Sequence, residues 1–456
     1  MSQKQEKHLR LGAFLTSVGH HAAAWRYPQT NTNDLFHFAY YQSLAQTAEK
    51  GLFDLVFFAD RLAISDRYEN KFDTTVRHLP ATRLEPITLI AALGAVTRHI
   101  GLVATASTTY NEPFSIARYF STIDHITGGR AAWNIVTSTH DGEALNYSRE
   151  KHLDHDLRYE RAREFLDVAI ALWDSWEDDA LVLDKENGVF ADPAKVHYLH
   201  HAGKWFQVKG PLNVPRSPQG HPVLVQAGSS PVGREFAAQT AEVIFTSQPQ
   251  LEEAQAFYAD IKSRAQKYGR TPDSIKIMPG VMPIIGKTEK EAAEKYRYLE
   301  ELVHPFAGLA LLSDSMNHDL SQYPLDQPLP ELKEVRGNQS RYKLVSEISR
   351  RENLNLLELG KRFASSRSHR IVVGTPQQIA DNLALWFESQ ACDGFNVMPP
   401  YLPGGLQEFV DLVVPELQQR GIFRTEYTGN TLRENLGLER PGNLFRTRQD
   451  HRVHAR

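Results

Sequence analysis

Cysteine is almost missing from this chain: Cys392 stands alone. A single thiol excludes an internal disulfide and a cysteine-held metal cluster, and it fits a reducing compartment. Long apolar runs are missing too, since nothing approaches the roughly 20 residues of a membrane span, and the start, Met-Ser-Gln-Lys-Gln-Glu-Lys, is too polar for a signal peptide. Neither charge dominates, because 51 basic against 55 acidic residues leave a formal charge of −4. That balance argues against nucleic acid or membrane as partners, and a cytoplasmic protein is expected. There is no Gly-x-Gly-x-x-Gly, Walker loop or Gly-x-Ser-x-Gly, so dinucleotide folds, phosphotransfer and serine hydrolysis are not leading readings. Histidines gather at His152 and His155 and at His197, His200 and His201 without a recognised ligand spacing, and no metal is expected.

What is present is a chain of 456 residues, 41% hydrophobic, able to bury a large core. Its organising stretch is Ile126 to Ser138, where Gly128 and Gly129 end a helix and Ala131 to Val136 form an apolar strand. Similar strands are expected at Leu9–Ser17, Phe53–Ala59, Ile100–Thr105, Pro222–Ala227, Glu242–Thr246, Ile275–Ile285 and Phe395–Met398. Helical periodicity separates them, over Asp34–Lys50, Pro86–Arg98, from Pro113, His155–Trp176, from Pro231, Leu251–Lys267, Pro376–Gln390 and Leu406–Arg420. Eight nearly all-apolar strands alternating with helices predict an α/β fold, a (β/α)8 TIM barrel forming one domain over 1–456. Insertions are expected at about 61–83, 178–220 and 303–370, the last as an irregular stretch. A doubly wound sheet with a second domain is the alternative, but no composition shift marks a boundary. The arginine-bearing tail, about 421–456, is expected to lie on a neighbouring surface or to be partly disordered at its end.

In a parallel barrel, ligands bind beyond the carboxyl ends of the strands. Asp60, the Ala104 to Ser107 segment including Ala106, Asn134 and Thr137 come from such ends. His155 and Tyr159, four apart on one helix face, follow the fourth strand. Their convergence suggests a cofactor pocket. The turn Gly228-Ser229-Ser230-Pro231 reads either as a plain helix cap or as a phosphate site at a helix N-terminus. His20 and His21, in the loop after the first strand, are candidates for proton transfer, with His20 and Asp60 as the catalytic pair.

Several segments resemble the luciferase-like flavin monooxygenases: Phe53 to Asp60, Gly128 to Ser138, His155 to Phe165, Val189 to His197, and Ser217 to Gly228. Within that family the likeness is to the nitrilotriacetate and dibenzothiophene-sulfone branch, with the second enzyme nearest and the match reaching the tail motif Phe423 to Arg433. The resemblance implies reduced FMN, O2 and a separate NAD(P)H:flavin reductase. It also implies oxygenation of a small molecule with cleavage of a C–S, C–N or C–halogen bond. It makes Asp60, Ala106, Asn134, His155, Tyr159, Ser229 and Ser230 flavin contacts, the serines at the phosphate, and places His20 near the reactive face; Ser107, Thr137 and Gly228 join the cofactor-binding candidates by their place on the same rim. A homodimer or homotetramer is expected. Ser65 stands where the alkane-oxidising relatives have a tyrosine, and residues 309–370, which shape the substrate cavity in relatives, match least. A deazaflavin-dependent oxidoreductase and a non-catalytic flavin-binding protein are the alternatives on the same fold.

Overall fold

The computed structural model describes residues 8–332 and 339–446. Nine parallel strands are present: β1 (Arg10–Leu15), β2 (Leu55–Phe58), β3 (Gly101–Ser107), β4 (Ala131–Val136), β5 (Val223–Gln226), β6 (Val243–Thr246), β7 (Lys276–Ile285), β8 (Arg370–Gly374) and β9 (Gly394–Val397). Eight close into the expected barrel, in the order β1 to β7, then β9, which pairs back onto β1 from Arg10↔Gly394 to Ala13↔Val397. β8 was not foreseen. It takes up the edge of β7 from Val281 to Ile285, beyond Pro279 where the pairing with β6 stops, and so raises one side of the rim.

The strands read as apolar runs because both faces are covered. Phe14, Phe57, Val103, Ala132, Val225 and Met278 fill the inside, while Leu11, Val56, Ala104, Trp133 and Ile135 pack outward on the helices. Both glycines before β4 have positive φ, 66° at Gly128 and 96° at Gly129, which ends the helix Pro113–Ile126 and turns the chain into the strand. The helical segment Gly404 to Gln419 passes through a π turn at Phe409–Val413 just before Pro415. The ring nitrogen of Pro415 cannot donate to the preceding turn, and the wider turn absorbs that loss.

The lower rim carries a repeated device. A buried carboxylate accepts a backbone amide at the start of a strand four times: Asp54 from Leu11 at 2.7 Å, Asp124 from Ala131 at 3.1 Å, Glu242 from Leu224 at 3.0 Å and Asp393 from Ile277 at 2.9 Å. Most of these carboxylates also hold a cation. Arg424 bonds Asp54, Arg433 bonds Glu242, and Lys262 reaches Asp393 at 2.8 Å. Two of the three cations belong to the tail. The tail therefore packs on its own barrel as far as Arg446, with Leu432, Leu436 and Leu438 plugging the lower end. Residues 447–456 of the expected arm, including Arg448, Arg452 and Arg456, lie outside the described residues.

The stretch 303–370 is not irregular. It holds helices Pro305–Met316, Gln339–Glu352 and Leu356–Ser366, with a core of Leu309, Leu312, Met316, Val345, Leu359 and Phe363. Tyr68 from the first insertion joins that core, and His78 stacks on His304 with ring centres 3.5 Å apart. The two insertions thus make one roof over the upper rim. Residues 178–220 form the hairpin Leu181–Asp184/Val189–Ala191 and a second short ladder beside the barrel. Among the described residues no helix is long and apolar enough to cross a membrane.

The tail clamp gives a stability prediction. Arg433 is 2% exposed and pairs with Glu242, so Arg433→Ala leaves a carboxylate uncompensated and should cost about 3 kcal/mol or more. The half-exposed pair Arg440–Asp178 should be worth about 1 kcal/mol or less in Arg440→Ala. Urea unfolding of both variants checks this, and equal small losses would make the tail peripheral.

Candidate active site

The carboxyl ends of β2, β4 and β5 surround a cavity of about 240 Å3. Asp60, Thr137, His155, Tyr159, Gly228, Ser229 and Ser230 all line it. Its first corner is the turn after β5. Ser230 caps the helix Pro231–Thr240, its Oγ accepting from the Gly233 amide at 3.1 Å with Pro231 at the first helical position. Tyr159 crosses from the helix His155–Trp173 and hydrogen-bonds Ser230, its phenol pushed up by burial. Gly233 is needed for that approach, because a Cβ there would lie 2.9 Å from the Tyr159 hydroxyl and 3.0 Å from Ser230 Oγ.

Arg158 completes this corner and was missed in the sequence. It is 3% exposed and lines the cavity. Its Nη1 donates to the Ser138 carbonyl and approaches His152 Nε2 at 3.2 Å, while Nε has no partner and no ion pair forms among the described residues. A buried guanidinium without a carboxylate, beside a helix N-terminus and two serine hydroxyls, is suited to an anion. The signal was available, since Arg158 falls three residues after His155 and shares its face.

The remainder of the site offers acceptors. Asp60 takes its neighbour's Arg61 amide at 2.7 Å, and its carboxyl is raised by burial against the pull of that amide and of Arg83. Asn134 does not line the cavity but lies one residue before its wall on β4, where it donates through Nδ2 to Thr105 Oγ1 at 2.8 Å, leaving Oδ1 buried and unmet. Gln226 Oε1, also missed in the sequence, is likewise buried and unmet on the cavity wall. Unsatisfied buried acceptors call for donors that a ligand would bring.

Ser107 and Ala106 are not brought to the cavity. Ser107 Oγ lies 2.9 Å from Ser138 Oγ and accepts the Thr109 amide, so it braces the rim. Ala106 faces outward, and its carbonyl accepts the Trp133 indole at 3.0 Å. Next to Asp60, Arg61 bonds Asp314 from the roof and His140 Nε2 at 2.7 Å. Burial pushes the Asp314 carboxyl up, but Arg61 overrides it and holds it at about 2. Burial and the same Arg61 bring His140 down to about 4, so it is neutral at pH 7.

His20 is separate from this cavity. Its Nε2 lies 3.0 Å from the Phe14 carbonyl, which fixes the proton there, and its ring leans on Phe14 at 4.2 Å. Burial, and after it the charge of Arg367, bring His20 down to about 3. His20 is thus neutral near pH 7, with Nδ1 left to offer as an acceptor. His21 turns away, with Nε2 3.0 Å from Glu300 Oε1.

Residues 13–392 match the family model described as luciferase-like monooxygenase. The chain is 52% identical to N-acetyl-S-(2-succino)cysteine monooxygenase of Bacillus subtilis (strain 168), over 97% of this chain and 99% of that one. It is 49% identical to nitrilotriacetate monooxygenase component A of Aminobacter aminovorans, over 96% and 98%. For dibenzothiophene-sulfone monooxygenase of Rhodococcus erythropolis (strain XP) the figures are 47%, 97% and 98%. The branch is the expected one, but two relatives exceed the dibenzothiophene-sulfone enzyme, which corrects its expected place as nearest. The crystal structure of long-chain alkane monooxygenase superposes with a TM-score of 0.84 at 38% identity, over 95% of this chain and 96% of that one.

The tautomer of His20 can be tested directly. Its ring signals in nitrogen-edited NMR should remain those of neutral Nε2–H from pH 8 to pH 5, and a midpoint near 6.5 would contradict its burial beside Arg367. The unfolded chain takes up this proton near pH 6.5 and the folded chain only near 3. The stability contributed is therefore present above about pH 6.5 and declines as pH falls toward 3.

Proposed function

The chain belongs to the luciferase-like monooxygenase family, and on that premise we propose that it is the oxygenase of a two-component system. In this reading a separate NAD(P)H:flavin reductase supplies reduced FMN, and the chain uses it with O2 to oxygenate a small organic molecule, cleaving a C–S or C–N bond. The bond types follow the relatives' names, which speak of a thioether, an amine and a sulfone; nothing in the site favours C–halogen cleavage. Reduced flavin, when bound, supplies the two electrons with which O2 is divided between the substrate and water.

The observation that carries the reading is the anion corner, with the unmet Gln226 Oε1 beside it and the Asp60 carboxylate on the same cavity wall. Arg158, the N-terminus of the helix Pro231–Thr240, Ser229, Ser230 and Tyr159 would hold the phosphate. Gln226 Oε1 and the Asp60 carboxylate on the cavity wall would receive donors from the polar part of the ligand, with Asn134 Oδ1 one residue before the wall on β4. His155 and Thr137 complete the wall. Ser107 and Ala106 act behind it, one bracing Ser138 and the other bracing Trp133. His20, neutral, would present Nδ1 as an acceptor on the side of the reaction, while the roof helix carrying Asp314 would keep water out once Arg61 and His140 hold it closed. Exclusion of water and fixed orientation are what a protein adds to flavin chemistry. Assembly as a homodimer or homotetramer remains part of the proposal.

Oxygen uptake with photoreduced FMN and no reductase tests the activity: the chain should consume O2 with reduced FMN and should not reduce FMN with NADH. Reduction by NADH alone would contradict the two-component reading. Ser230→Ala should weaken FMN binding by about 1 to 3 kcal/mol and leave riboflavin almost unchanged, since the lost bond is charge-assisted and directed at the phosphate. Equal losses for both flavins would reduce Ser230 to the helix cap it also is.

A further inference from the structure

Behind the cavity wall, Arg158 is held by a short chain of side chains that the flavin pocket itself does not use. Just beyond β4, Ser138 adopts a left-handed conformation with φ 59°, uncommon for a residue with a Cβ and kept only where the surroundings hold it. Its Oγ meets Ser107 Oγ at 2.9 Å, and its carbonyl receives Nη1 of Arg158. The same Nη1 lies 3.2 Å from His152 Nε2. His152 Nδ1 in turn bonds the Tyr110 hydroxyl, and the two rings stack with centres 5.6 Å apart. Tyr110 is buried, with Tyr147 stacked on it at 4.9 Å and the Arg149 guanidinium over its ring at 5.4 Å. Neither His152 nor Tyr110 lines the cavity.

These contacts leave one arrangement of protons. A guanidinium nitrogen only donates, so His152 Nε2 is the bare acceptor, Nδ1 carries the imidazole proton, and the Tyr110 oxygen accepts it. Burial holds His152 below its ordinary value, the Ser138 carbonyl partly opposes this and Arg158 adds to it, so the ring is neutral at pH 7 as an acceptor must be. Burial also pushes the Tyr110 phenol up, so it keeps its own proton. With both protons of Nη1 taken, the edge of Arg158 formed by Nε and Nη2 is left for a ligand. Nε is buried and unmet, and Nη2 makes no hydrogen bond among the described residues. We propose that His152 and Tyr110 are positioning residues that aim this edge of Arg158 at the flavin phosphate. This rests on the flavin reading of the cavity and adds to it the two groups that orient its cation. A guanidinium fixed in advance gives up little freedom when the anion arrives, and its planar fork matches a phosphate only in a set orientation.

Two measurements on the full chain test the proposal. In ring-nitrogen NMR at pH 8, the His152 signals, assigned by their loss in His152→Gln, should be those of the neutral Nδ1–H tautomer, and Tyr110→Phe should move them toward Nε2–H. In flavin titrations, His152→Phe should weaken FMN about fivefold, the worth of one ordinary hydrogen bond, and leave riboflavin within about twofold. His152→Gln should recover most of that loss, because its amide oxygen can accept from Nη1. An Nε2–H tautomer in the wild type, equal losses for both flavins in His152→Phe, or no loss for either would each overturn it. If His152→Phe fails to fold, the wild-type tautomer and the two flavin affinities of Tyr110→Phe decide the matter, a loss confined to FMN being expected there too. Arg158→Gln separates this proposal from the reading beneath it. An unchanged ratio of FMN to riboflavin affinity in that variant would remove the phosphate assignment and the proposal together. A changed ratio there, beside an unchanged one in His152→Phe, would remove the proposal alone.

Discussion

The strand starts at the lower rim of this barrel are tied down by carboxylates, while the groups suited to a ligand gather at the upper rim. Four carboxylates, Asp54, Asp124, Glu242 and Asp393, accept the amides with which β1, β4, β5 and β7 begin, so these strand starts are pinned in register. Buried carboxylates of this kind are tolerable only when donors surround them. Arg424, Arg433, Lys262 and Gln219 are those donors, and the tail brings two of the four. The tail plug is thus part of how the barrel closes. A chain secured at one end in this way can leave polar atoms unmet at the other.

Unmet atoms are what the upper end has. Asn134 Oδ1, Gln226 Oε1 and Arg158 Nε are all buried without partners, on β4, β5 and the helix that follows β4. Arg158 and Gln226 line the cavity near the helix N-terminus, Asp60 lines it from the loop after β2, and Asn134 lies one residue before the cavity-lining Ile135 on β4. A phosphate and a hydrogen-bonding ring system satisfy the cation and the acceptors. The roof helices then confine the mouth, and the ion pair between Arg61 and Asp314 ties them to the end of β2.

Much of this was legible in the sequence, and the failures have physical causes. Apolar runs flanked by capped helices located all eight barrel strands, because burial on both faces removes polar residues from them. β8 escaped notice because Arg370 to Gly374 is half-buried and only extends the rim. The stretch 303–370 looked irregular because helix Pro305–Met316 is apolar nearly all round, packed against Tyr68 on one side and the other roof helices on another. Expecting ligands at strand ends found Asp60, Thr137 and the 228–230 turn. It failed at Ala106 and Ser107, since a strand's end does not say which way its side chains face. Arg158 was passed over as an ordinary polar helix residue, and only the structure shows it deprived of a counter-ion. His20, a candidate for proton transfer in the sequence, lies outside the cavity and is buried and neutral against Phe14.

The central claim is that the Arg158 and Ser230 corner holds the phosphate of a flavin. Phosphorus NMR of FMN bound to the protein tests it most directly, because the second ionisation of a free phosphate monoester falls near pH 6. A phosphate held by a buried guanidinium and a helix N-terminus should stay dianionic down to pH 5, and in Arg158→Gln its titration should move back toward pH 6. A bound phosphate that titrates near pH 6 in the wild type, unchanged by the substitution, would contradict the assignment.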